Sequence, residues 1–125
     1  MASNKHELTE DQRKLQPLSP AVFFVLFALA DGEKHGYAIM QQTVLLSNGD
    51  FRMGPGTLYT TIQRLVELQV IQEIRSADET DSRRRYYRLT AAGEVLLETE
   101  LSRMRAVLET ARKMKIALAG RSSVT

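Results

Sequence analysis

The stretch GPGTLYTTIQRL, residues 54–65, sets helix breakers directly before a helical repeat. Gly54, Pro55 and Gly56 interrupt helices, yet Leu58, Ile62 and Leu65 recur behind them at the spacing of one helix face. The conflict resolves if the breakers mark a start. Gly54 then serves as N-cap, and Pro55 takes the first helical position, where its missing N–H costs nothing. Gly56 leaves the first turn without a side chain, so a phosphate can approach the free N–H groups and the positive end of the helix dipole. Leu58, Ile62, Leu65 and Val66 are expected to face a core. Thr57, Thr60, Thr61, Gln63 and Arg64 point outward, and such residues donate to phosphates and base edges. Tyr59 divides its ring between packing and the outer surface. A polar outer face is also what any surface helix shows, so the neighbouring elements have to decide.

Upstream, Ser19 is a good N-cap with Pro20 at the first helical position, and Asp31-Gly32 closes the helix between them. Val22, Leu26 and Leu29 repeat at helical spacing with Phe23, Phe27 and Ala30 beside them, so this helix is apolar on nearly every side and should sit centrally. HGYAIMQQTVLLSNG, residues 35–49, reads as a second helix, with Tyr37, Met40 and Val44 on one side, Ile39 flanking and His35 as a cap or turn residue. Residues 1–16 form a polar arm or a short helix capped by Thr9, packed on a partner or left mobile.

Downstream the period changes. VIQEIRS, residues 70–76, and RRRYYRLT, residues 83–90, alternate as strands do around the turn-rich link 77–82. One of Tyr86 and Tyr87 is expected in the core. From Thr90, itself a cap, a long helix is predicted to run to 119. Leu97, Leu101, Met104, Leu108, Ala111, Lys115 and Leu118 follow one another in steps of four and three, a heptad seam. One small domain cannot cover so long a face, so a two-fold dimer is expected, with Phe23 and Phe27 as a second gripping surface and residues 120–125 as a frayed, disordered tail. The fold class is therefore mainly α with a small β-hairpin: a winged helix-turn-helix over 17–89 and a C-terminal dimerisation helix over 90–119.

Composition narrows the function. The chain has 125 residues, no cysteine and two histidines, which excludes disulfides and leaves no metal constellation within one chain. No apolar run reaches a membrane span and no signal peptide is visible, so a soluble cytoplasmic protein is expected. The net charge is only +2, but residues 51–90 carry seven arginines and no lysine against five acids. Arginine is the favoured donor to phosphate and base edges. Arg83, Arg84 and Arg85 form a basic run at the hairpin beside the candidate recognition helix, with Asp78, Glu79 and Asp81 partly cancelling it. No catalytic pair and no phosphate-binding Gly-Lys loop is present, so an enzyme is not expected and no cofactor is called for.

HGYAI at 35–39, GTLYTTIQRL at 56–65 and RRRYYRLTAAG at 83–93 resemble, in order and spacing, three signature blocks of the PadR family of transcriptional regulators. The resemblance implies a winged-helix DNA-binding domain, a C-terminal dimerisation helix and repression of nearby genes. It places Thr57, Tyr59 and Arg64 on the recognition-helix block and Arg85 and Tyr87 on the wing block. The single helix after the wing is similar to the family's compact subgroup. The sequence departs from the family pattern at Thr60, Val66 and Gln69; glycine is usual at the last of these, so Gln69 implies a strained stop or a longer helix. The expected partners are double-stranded DNA with a pseudo-palindromic operator and a second copy of the chain; Met40, Met53, Met104 and Met114 read first as ordinary packing, with a small hydrophobic effector at a methionine-bearing interface as the other reading. The alternative is a winged-helix adaptor that binds protein and not DNA.

Overall fold

The computed structural model describes residues 6–75 and 85–116. Within them lie α1 (Glu10–Arg13), α2 (Pro20–Ala28), β1 (Lys34–His35), α3 (Gly36–Leu46), α4 (Pro55–Glu67), β2 (Ile71–Arg75), β3 (Arg85–Leu89) and α5 (Ala91–Lys113). Helices α2, α3 and α4 with the β2–β3 hairpin make a winged helix-turn-helix.

Helix starts follow local chemistry. The side chains of Thr9, Ser19, His35 and Thr90 accept hydrogen bonds from Gln12, Val22, Ala38 and Gly93 N–H groups and so cap α1, α2, α3 and α5. Each such cap contributes about 0.5–2 kcal/mol. Helix α2 touches α3, α4 and α5, as its all-round apolarity requires. Val25, Leu26, Ile39, Leu58, Leu65, Val70, Ile71 and Leu96 are the innermost apolar side chains, and fully burying one of the leucines contributes about 1.5–3 kcal/mol.

The sheet has three strands, not two, in the order β1-β3-β2. Both pairings are antiparallel, with Lys34 opposite Tyr87 and Glu73 opposite the same tyrosine on the other side. Strand β1 is two residues long, too short for any periodicity to reveal. It is secured by the Tyr86 ring standing edge-on to His35 at 5.5 Å.

Three further expectations change. On α3 the buried side carries Ile39 and Thr43, while Tyr37 is exposed and Met40 and Val44 are half-buried. The cause is Gly36, which is itself buried and turns the inward face toward the 36-39-43 row. Helix α1 docks on its own domain: Gln12 is buried and donates to the Leu68 carbonyl at the end of α4 at 2.8 Å, and Leu15 and Leu18 join the core. Helix α5 ends at Lys113 instead of 119, and Lys115 takes a left-handed φ of +61° just beyond it.

The joint between α4, β2 and α5 is tight. Gln69 N–H bonds to the Val66 carbonyl and Val70 N–H to the Leu65 carbonyl, closing α4. The Thr90 hydroxyl lies 2.7 Å from the Gln69 carbonyl and 2.9 Å from that of Val70. A Cβ at Gly93 would collide with the Val70 carbonyl, so only glycine lets the first turn of α5 lie against this strand entry. No helix among the described residues is long and apolar enough to cross a membrane.

Candidate nucleic-acid interface

Helix α4 presents its outer face without obstruction. Leu58, Ile62 and Leu65 are buried, Thr61 and Val66 half-buried, and Gly56, Thr57, Thr60, Gln63 and Arg64 exposed. Gly54 is its N-cap and offers no side-chain acceptor, so α4 alone among the five described helices lacks a side-chain cap. With Pro55 at the first helical position, the N–H groups of Gly56 and Thr57 stay outside the helical ladder. The helix with the open N-terminus is thus the helix with the exposed polar face, and its dipole favours an anion there.

Tyr59 does two things. It is half exposed, yet its ring lies on the backbone of Gly36: a Cβ there would come within 2.8 Å of the ring's Cζ. The missing side chain of Gly36 therefore sets how closely α3 and α4 approach. Tyr37, on the first turn of α3, is exposed. The sequence pattern groups Tyr37 with Met40 and Val44 on one side of α3, and in the fold it is the exposed member of that row.

Helical spacing divides the rest of the face. Thr57, Thr61 and Arg64 follow one flank of α4, while Tyr59 and Gln63 follow the other. On that second flank Tyr59, Gln63 and Arg85 meet across a cleft of about 400 Å³ between α4 and the hairpin. Two acids that the sequence reading passed over, Glu67 and Glu73, line the same cleft. Arg85 is exposed and its Nε sits 3.6 Å from a Glu73 carboxylate oxygen. One strand pair further along the hairpin, Arg88 Nε donates to the Gln72 side chain at 3.2 Å. Tyr87 is the buried member of the tyrosine pair. Burial, and next the nearby charge of Glu73, push its phenol above the ordinary tyrosine range. Arg83 and Arg84 lie outside the described residues, as does Leu118.

The seam residues part company. Leu97 and Phe23 are buried in the chain's own core, and Phe27 is half-buried 5.3 Å from the Phe23 ring. Leu101, Met104 and Leu108 are each about 40% exposed (38%, 40% and 41%), with Val107 beside them and Ala111 half-buried beyond.

Comparison with known proteins agrees with this geometry. The family model described as "Transcriptional regulator PadR-like family" matches residues 25–99. The chain belongs to the PadR-like family of transcriptional regulators. It is 37% identical over 91 residues to the transcriptional regulator Rv3488 of Mycobacterium tuberculosis, covering 72% of this chain and 78% of that protein. An uncharacterized 37.1 kDa protein in transposon TN4556 of Streptomyces fradiae is 42% identical over 84 residues; these cover 67% of this chain and 23% of that protein, so the chain spans about a quarter of that relative. Among solved structures, a PadR family regulator from Clostridium difficile R20291 superposes with a TM-score of 0.65 at 22% identity, covering 77% of this chain and 98% of the other. Bacillus subtilis PadR, solved in complex with operator DNA, superposes with a TM-score of 0.57 at 21% identity over 64% of this chain and 45% of that one. The PadR-like match runs from the middle of α2 through the first turns of α5, so it contains the whole of the α4 face and the hairpin.

Proposed function

We propose that this PadR-like chain is a homodimeric, sequence-specific DNA-binding regulator that represses transcription from a pseudo-palindromic operator. The observation that carries the reading is the uncapped N-terminus of α4 beside an exposed polar face. That arrangement supplies backbone donors for phosphate together with Thr57, Thr60, Gln63 and Arg64 for base edges. Family membership supports it, and so does the operator complex of the Bacillus subtilis relative. The hairpin arginines Arg83, Arg84 and Arg85 anchor the wing on phosphate or in the minor groove. The exposed stripe of α5 pairs with its counterpart in a second copy, which presents two α4 helices to successive major-groove turns about 34 Å apart. Met104 and Met114, both exposed on or just past α5, give that interface side chains able to adapt to a small hydrophobic effector.

The test is duplex binding across a salt series, with fluorescence anisotropy on DNA from upstream of the gene. Wild type is expected to lose affinity steeply between about 50 and 200 mM salt. Replacing Arg83, Arg84 and Arg85 with alanine should weaken binding to every sequence and flatten that slope by about 1 per lost phosphate contact. A shallow slope in the wild type, with no preference among duplexes, would instead identify a protein-binding adaptor.

A further inference from the structure

The cleft between α4 and the hairpin carries chemistry that phosphate binding does not call for. Its volume, about 400 Å³, falls in the range of small-molecule sites. Two phenol rings, Tyr59 and Tyr87, and two carboxylates, Glu67 and Glu73, form its walls. Carboxylates beside a duplex repel its backbone, so their presence on this flank of α4 opposes the contacts made by Gln63 and Arg85. Glu67 makes no ion pair among the described residues. Glu73 has Arg85 at 3.6 Å, well beyond the length of a charge-assisted hydrogen bond. Tyr87 is only 5% exposed and lines the cleft.

Aromatic faces flanking under-neutralised carboxylates are the chemistry that recognises organic cations: the carboxylates bind the charge and the rings attract it through their quadrupoles. We propose that this cleft binds a small organic cation, an amidinium, guanidinium or ammonium group on an apolar body, and that its occupation strengthens duplex binding. The guest neutralises Glu67 and Glu73 and takes over from Arg85, whose guanidinium is then free to reach phosphate. The cation site stands on the cleft alone, whereas its effect on DNA rests on the function proposed above.

Benzamidine is a suitable probe, with benzamide and benzoate as its neutral and anionic isosteres. The first readout is the amide 1H–15N spectrum of the full chain without DNA. Benzamidine should shift the signals of Gln63, Glu67, Glu73 and Tyr87, while benzamide and benzoate leave them in place. The double variant E67Q/E73Q, altered at two exposed positions and checked for folding by the same spectrum, should bind benzamidine at least about tenfold more weakly. Equal shifts from all three probes, shifts undiminished in the double variant, or none at about 20 mM benzamidine would overturn the cation site. The second readout is duplex affinity. E67Q/E73Q should bind DNA about fivefold more tightly than wild type without any guest, and benzamidine should tighten wild type alone. Unchanged affinity in a protein that binds DNA overturns the coupling. If neither protein binds DNA, the function proposed above has failed, and the spectra still decide the cleft.

Discussion

Gln69 holds a φ of +60° where α4 gives way to β2. An L-residue in that left-handed region costs about 1 kcal/mol, which glycine avoids. Its side chain is exposed and makes no hydrogen bond among the described residues, whereas its backbone closes α4 through the Val66 carbonyl. Gln69→Gly is therefore expected to raise stability by about 0.5–1 kcal/mol, read as a higher urea midpoint with an unchanged slope. A lower midpoint would mean that the carboxamide makes a contact the backbone argument ignores. The departure from the family pattern, where glycine is usual, implies a strained stop or a longer helix here, and the left-handed φ is the first of these. Tyr37 was not legible. Its aromatic ring fits an apolar row as well as a surface does, and only the burial of Gly36 against Tyr59 decides which row of α3 turns inward. Glu67 and Glu73 escaped notice for a related reason. Exposed acids are the commonest residues on any solvated face, and nothing in the spacing of 67 and 73 shows that a helix and a strand bring them to one cleft.

At the scale of elements, α5 leaves the domain at Glu100. This carboxylate is buried; one oxygen accepts the Leu18 N–H at 3.4 Å and the other pairs with Arg103 on the next turn. The Arg103 hydrogen bond is the main cause holding the Glu100 carboxyl below the ordinary glutamate range. A lowered folded-state value means that the stabilisation is complete above the unfolded value of about 4.3 and is lost as pH falls through the folded one. Glu100→Ala should thus cost about 1–3 kcal/mol at neutral pH, from the lost Arg103 pair together with the Leu18 N–H left without an acceptor. The charge-dependent part of the gap between variant and wild type should begin to shrink as pH falls below about 4.3 and be lost through the lowered folded value. Urea melts at pH 7 and pH 3.5 check this; a gap that persists undiminished at the lower pH would assign the loss to packing and not to the charge. The elements themselves were mostly readable, because Thr9, Ser19, His35 and Thr90 sit where caps are needed. Strand β1 was not readable, because Lys34 and His35 become a strand only through their pairing with Tyr87 and Tyr86.

At the scale of the whole molecule, α5 faces two ways. Its first turns bury Leu96, Leu97 and Glu100 in the domain, while residues 101–116 are exposed apart from half-buried Ala111. The heptad pattern runs across this boundary without a break, since steps of four and three describe Leu97 as well as they describe Leu101. Periodicity tells which residues share a face and is silent about what covers it. On the proposed dimer, Leu101 and Leu108 lie on the stripe left for a second copy, so Leu101→Glu with Leu108→Glu should yield a monomer by sedimentation. The fold should survive, because both positions lie beyond the last buried turn of α5. Glutamate is preferable to lysine here, since an added positive charge would raise non-specific attraction to DNA and mask the effect. Joining two DNA-binding units makes the second engagement intramolecular, so losing the dimer should weaken binding to a two-site operator by about 100-fold or more. Affinity for a duplex holding a single half-site should change little. A variant that stays dimeric would place the contact elsewhere, with the half-buried Phe27 of α2, the second gripping surface expected from the sequence, as one alternative. A monomer that kept full operator affinity would show that one α4 face suffices, and the argument from two-fold spacing would fail even with the dimer itself established.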